Sequence, residues 1–188
     1  LRVVLSDGPS ANKRARRAAA LQPMQRASKV QVLAIIGLCI ALYACDVEAH
    51  MDEDDYEALC DIAAAFSCTE VFKSSYGHIL SHWGVVPKGH ALDLSLAVTG
   101  VILYTAYFVA ACLWNVMPFR KPLFLAVATA GACFSCYLLY VLKFVLGDFC
   151  IVCTGFHTVN FCMLAVAVLE FRAPHEVRAG AKAASKKL

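Results

Sequence analysis

The sequence predicts an all-α membrane protein: a four-transmembrane-helix bundle with a loop carrying short helices over one end. Three observations predict it. Hydrophobic residues make up 60% of the 188-residue chain and charged residues 16%, too apolar a balance for an ordinary soluble domain. Four stretches approach the roughly 20 apolar residues that a helix needs to cross a bilayer core of about 30 Å. Charge is segregated between the two sets of connecting segments.

Taken in order, residues 1–29 read as a basic, solvated tail. The chain opens on Leu1, and Met24 is an expected natural start. Lys13, Arg14, Arg16 and Arg17 flank an apolar span, a pattern that membrane topology explains and that needs no nucleic acid. Nothing in residues 1–28 reads as a packed element. The first span is Val30–Ala49, an uncleaved anchor rather than a signal peptide, because the run is long and three spans follow. Residues 50–91 form a loop too long for a bare turn, so it is expected to fold over the bundle. Within it, Asp61–Phe72 has good helix formers, and Ile62, Phe66, Val71 and Phe72 are expected to rest on the membrane face. "HILSHWGVV" (78–86) is short and amphipathic, with Trp83 suited to the interface.

The second span runs from Leu92 to Val116. Pro118 and Pro122 then flank Arg120 and Lys121, and the third span covers Pro122–Phe144. Gly147 and Asp148 make a short break, with Asp148 expected to cap the fourth span, Phe149–Phe171. Residues 173–188 read as a second basic tail ending in "SKKL", close to a dilysine retrieval signal. Seven Lys and Arg precede the first span, two lie between the second and third, and five follow the fourth. Both ends are therefore expected on the cytoplasmic side, which holds fourteen of seventeen cations. Eleven of fourteen acids, including Asp52–Asp55, fall on the other side. The 50–91 loop and the turn before the fourth span then share the luminal side, with Cys150 at the luminal end of the bundle.

Ten cysteines suggest a disulfide compartment or a redox role. "DFCIVC" sets Cys150 and Cys153 three apart at the start of a helix, where unpaired N–H groups favour thiolate and both sulfurs share a face. Asp148 works against that. Cys60 and Cys68 in the loop are compatible with a structural disulfide or with redox exchange. Cys133 and Cys136 raise a zinc site, but they lie mid-span and read as small packing residues, as do Cys39, Cys45, Cys112 and Cys162. His157 and Asn160 continue the stripe that Cys150 and Cys153 begin. Each is either an interhelical hydrogen-bonder or a donor aimed at a bound carbonyl. Three classes follow: a thiol oxidoreductase, a non-catalytic four-span scaffold stapled by Cys60–Cys68, or a metal-binding membrane protein.

Four spans, a loop with "LCD…SC" holding Cys60 and Cys68, and "CIVC" opening the last span together resemble the vitamin K epoxide reductase family, over roughly residues 30–172. The resemblance implies a membrane thiol–quinone oxidoreductase of the endoplasmic reticulum with no metal and no tightly bound cofactor. It implies that Cys153 attacks a quinone or quinone epoxide, that Cys150 resolves the adduct, that Cys68 reduces the resulting disulfide, and that Cys60 regenerates Cys68. Electrons would come from a separate luminal thioredoxin-like or protein-disulfide-isomerase-type protein. Phe72 matches an aromatic that packs on the quinone, and Asp61 matches an acid of structural role. The sequence departs from the family at three points. His157 stands where a tyrosine is usual, Leu96 where an asparagine is usual, with Asp93 one turn earlier as its substitute only if protonated, and Tyr76 where a tryptophan precedes glycine. These changes bear on vitamin K specificity and epoxide reduction more than on quinone-coupled thiol oxidation.

Overall fold

The computed structural model describes residues 9–53, 56, 58–61, 68–147 and 149–173, with backbone only for 9–23. The order is α1 (Pro9–His50), α2 (Cys68–Lys73), a 3-10 turn (Ser75–Gly77), α3 (Ile79–His82), α4 (Leu96–Cys112), α5 (Arg120–Tyr140), a π-helical segment (Val141–Leu146) and α6 (Ile151–Arg172). Among the described residues there are helices and no strand. Met24–His50, Arg120–Leu146 and Ile151–Arg172 are long and apolar enough to cross a membrane, and α4 is a shorter apolar helix of 17 residues. The chain is thus a helical membrane bundle, with short helices in the long connection.

Four boundaries differ from expectation for local reasons. Helix α1 begins at Pro9, so the basic segment extends the first span instead of trailing as a tail. Its Ala, Arg, Lys and Gln are strong helix formers. Helix α4 starts four residues later than Leu92 because Ser95 caps it, accepting from the Val98 N–H at 3.2 Å. Helix α5 does not stop at Phe144; its last turn widens into the π-helical segment and ends at Gly147, whose φ of 75° suits glycine. The cap of α6 is Cys150, whose sulfur accepts from the Cys153 N–H at 3.3 Å. Asp148, expected there, lies outside the described residues, as do Ile62 and Phe66.

The main contacts run α4 to α1, α1 to α6 and α6 to α5. Small buried residues let these backbones approach: Ala34, Ala41 and Ala44 on α1, Ala128 and Ala132 on α5, Ala167 on α6. Each helix keeps a face outside the bundle. That face carries Cys39, Cys112, Cys133, Cys136 and Cys162, all exposed. They are not the interior packing residues that span position suggested, because a small bundle of helices leaves part of each one facing outward.

One end of the bundle is tied by charge. Glu170, fully buried on α6, accepts from Arg26 of α1 at 2.9 Å and from Arg120 of α5 at 3.2 Å. Arg120 also donates to the Trp114 carbonyl and stacks over the Trp114 ring. Lys121 donates to the Ala173 carbonyl. The two arginines are partly exposed, so the loss on breaking the cluster is smaller than for a sealed pair. Glu170→Ala is expected to cost about 2 kcal/mol, visible as a lower unfolding midpoint in detergent. An unchanged midpoint would show that the cluster adds nothing to stability.

Candidate functional site

The other end holds the sulfurs. Cys68 is the first residue of α2, and Asp61 positions it: one carboxylate oxygen accepts from the N–H groups of Cys68 and Thr69, and the other from the Thr69 hydroxyl. This is N-capping by a residue outside the helix. Cys150 caps α6. The two helix starts meet there, with Cys68 and Cys150 Sγ 3.0 Å apart and both fully buried, about 1 Å beyond a disulfide bond length of ~2.0 Å. Cys150 Sγ also accepts from the backbone N–H of Cys153 at 3.3 Å, which puts Cys153 next in line on α6. On the other side, Cys60 and Cys68 Sγ and an Asp61 oxygen lie within 4.8 Å of one another. The four sulfurs thus form a file: Cys60, Cys68, Cys150, Cys153.

Environment separates the two loop thiols from ordinary cysteines. Burial, then contact with Cys68, pushes the Cys60 thiol up to about 12, while Tyr43 pulls it the other way. Cys68 is raised too, first by its contact with Cys150 and then by burial. Both are therefore protonated at neutral pH. Among the described residues, Cys60, Cys68 and Asp61 are close enough together to hold a metal ion, although the Asp61 oxygens already serve the start of α2.

Past Cys153 lies a cavity of about 130 Å³. Its roof is Val71, Phe72, Tyr76 and Gly77 of the loop. Its walls are Leu96, Gly100 and Leu103 of α4, Phe134 and Leu138 of α5, Val141, Leu142 and Leu146 of the π-helical segment, and Cys153, Phe156 and His157 of α6. A mostly apolar lining with few polar groups is what a lipophilic ligand requires. Gly77 lets the roof close, since a Cβ there would meet the Phe72 carbonyl oxygen at 2.7 Å. The roof is tethered through Trp83, which donates to the Tyr137 hydroxyl at 3.3 Å and packs against Phe134.

Polar residues in the cavity fall into two kinds. Asn160 is satisfied: it donates to Ser135 of α5 at 2.9 Å and accepts from Tyr104 of α4 at 3.0 Å. His157 is buried, and neither ring nitrogen has a hydrogen-bond partner among the described residues. A buried imidazole without a partner is costly unless a ligand supplies one.

The structure therefore brings together Cys60, Cys68, Cys150 and Cys153, and places Phe72, His157 and Asn160 around the cavity. Asp93 is elsewhere and does not line it. Its carboxylate accepts from the Ser81 and Gly89 N–H groups and faces His78. Desolvation raises its proton affinity, but these hydrogen bonds outweigh it and hold the carboxyl below the usual range. Asp93 staples the loop and cannot serve as the protonated substitute expected for the asparagine. Val71 and Phe72 face the cavity instead of lying on a membrane surface. Sequence reading missed Tyr104, Ser135, Phe156 and the π-helical segment, since no local signal shows which helices converge.

The model of the vitamin K epoxide reductase family matches residues 29–168. Vitamin K epoxide reductase complex subunit 1 of Rattus norvegicus is 36% identical over 136 residues, covering 68% of this chain and 80% of that protein. The same subunit of Mus musculus is 34% identical over 143 residues, covering 72% and 84%.

The Asp61 cap generates a test. Asp61→Ala removes three hydrogen bonds at the start of α2 and is expected to loosen it by about 1 kcal/mol. Oxidant-induced Cys68–Cys150 crosslinking, read on a non-reducing gel, should slow several-fold. Crosslinking at the wild-type rate would show that Asp61 does not hold Cys68 in place.

Proposed function

The chain belongs to the vitamin K epoxide reductase family and is a membrane oxidoreductase of that type, and on this premise we propose that it carries electrons from luminal thiols, through its four aligned cysteines, to a lipid quinone or quinone epoxide. One observation supports this above the others: the file of sulfurs ends at Cys153, the one thiol among the described residues lining the cavity.

The chemistry follows from the order. Cys153 thiolate adds to a ring carbon of the quinone. Cys150 then attacks Cys153 Sγ, the carbon–sulfur bond breaks, and the hydroquinone leaves with two electrons and two protons. The Cys150–Cys153 disulfide that remains is opened by Cys68, which bonds to Cys150 and releases Cys153. Cys60 attacks Cys68, closes the Cys60–Cys68 disulfide and frees Cys150. A separate thioredoxin-like or protein-disulfide-isomerase-type protein reduces that disulfide. Each transfer within the chain after the quinone adduct is an exchange between neighbouring sulfurs of the file, which is the geometry thiol–disulfide exchange requires.

His157 is the donor to a quinone oxygen, in the place of the family tyrosine, and Phe72 packs on the ring. Asn160, held between Tyr104 and Ser135, shapes the inner end of the cavity. Leu96 in the wall offers no hydrogen bond where the family has an asparagine, so one quinone oxygen has one partner fewer. The charge bias puts both termini in the cytoplasm and the sulfur end in the lumen of the endoplasmic reticulum, where protein thiols are oxidised.

Cys153→Ala is expected to abolish reduction of ubiquinone, menaquinone, phylloquinone and vitamin K epoxide alike. Cys150→Ser and Cys153→Ser should each accumulate a stalled species, detected by mass spectrometry after alkylation. Wild-type turnover in both Cys153 variants would refute the relay, and a single quinone-insensitive Cys60–Cys68 disulfide would identify a scaffold. His157→Phe should raise the quinone KM about tenfold, the loss of one hydrogen bond, while His157→Tyr should retain most of the affinity. Equal affinity in wild type and His157→Phe would remove His157 from the quinone site.

A further inference from the structure

Resting on the relay above, we propose that the Tyr43 hydroxyl is the hydrogen-bond donor that stabilises the Cys60 thiolate and so sets how fast the loop thiol enters exchange. Tyr43 belongs to α1 and packs into the same cluster as Cys60, Cys68 and Cys150. Its hydroxyl is buried with no hydrogen-bond partner among the described residues, and Tyr43 and Cys60 line the same groove. A buried phenol with no acceptor is an anomaly in a folded chain. The neighbouring sulfur explains it. A thiol accepts weakly, whereas a thiolate accepts strongly. On this reading the hydrogen bond is unmade while Cys60 is protonated and forms when it ionises.

The groups facing Cys60 divide clearly. Burial, Cys68 and Asp61 oppose its ionisation, and Tyr43 favours it. Tyr56 also feels Cys60 electrostatically. Cys60 uses its thiolate twice. It attacks Cys68 Sγ, so that the Cys60–Cys68 bond forms, the Cys68–Cys150 bond breaks, and Cys150 leaves with the electron pair and takes up a proton. Later it is the leaving group when the protein partner closes its own disulfide. A donor on the sulfur assists both events. Cys60 is only 5% exposed, but a groove lined by Cys39, Ile40, Tyr43, Leu59, Cys60 and Ile151 reaches it from outside the bundle.

The test uses the reduced, full-length protein in detergent, with Cys60 alkylation by iodoacetamide at pH 8 followed by mass spectrometry of its peptide. Tyr43→Phe is expected to slow Cys60 alkylation about tenfold, the effect of losing one hydrogen bond to a thiolate. Alkylation of Cys153 and quinone KM should be unchanged, and the Cys68–Cys150 species should accumulate during turnover. A Cys60 rate within twofold of wild type overturns the proposal. Should Tyr43→Phe lose the fold, 3-fluorotyrosine at position 43 keeps the ring and strengthens the donor. It should speed Cys60 alkylation, and an equal or slower rate overturns the assignment. Quinone turnover by Cys153→Ala would instead strike the relay and leave the alkylation result standing.

Discussion

Two helix starts meet at one pair of sulfurs, and the rest of the site depends on that meeting. Cys68 opens α2, Cys150 caps α6, and their Sγ atoms lie 3.0 Å apart. Helix N-termini carry unpaired N–H groups, and here side chains take them up on both sides. Asp61 serves α2, and the Cys150 sulfur itself serves α6. Neither helix can rotate or slide without giving up a cap. The same contact therefore sets the order of the sulfurs and lowers Val71, Phe72 and Gly77 onto the cavity as its roof.

The cavity follows from how the helices are arranged. Close packing runs α4–α1–α6–α5, so α4 and α5 flank an opening that small residues elsewhere do not fill. Its polar groups sort by whether they are satisfied. Asn160, Ser135 and Tyr104 form a closed network across three helices, as interhelical polar residues in membranes do. His157 has no such network. In a low-dielectric interior this difference separates a residue that holds helices from one left without a partner among the described residues.

Rigidity is concentrated at the far end. The Arg26–Glu170–Arg120 cluster joins α1, α5 and α6 and reaches Trp114 beyond α4. The loop end is held by weaker means: Asp93 on backbone N–H groups, Trp83 on Tyr137, and one cap at Asp61. A bundle fixed at one end and lightly fastened at the other suits chemistry in which a loop cysteine must change partners. Movement at that end costs a few exposed or part-buried hydrogen bonds, and movement at the other would strand a buried charge.

Much of this was legible in the residues. Long apolar runs, charge bias and the spacing of Cys60, Cys68, Cys150 and Cys153 mark a helical membrane protein with a dithiol at a helix start, because hydrophobic length and i, i+3 geometry are local properties. Local signals misled where two groups compete for one task. Asp148 looked like the cap of α6, Asp93 like a ligand to substrate, and mid-span cysteines like packing. In the fold, the Cys150 sulfur takes the cap, backbone N–H groups claim Asp93, and the outer faces carry Cys133 and Cys136. Only tertiary structure could decide these, and likewise the convergence of Tyr104 and Ser135 on Asn160, or of Tyr43 on Cys60. Such contacts join residues 17 to 56 positions apart, and nothing in the chain's local chemistry encodes which distant side chain will arrive.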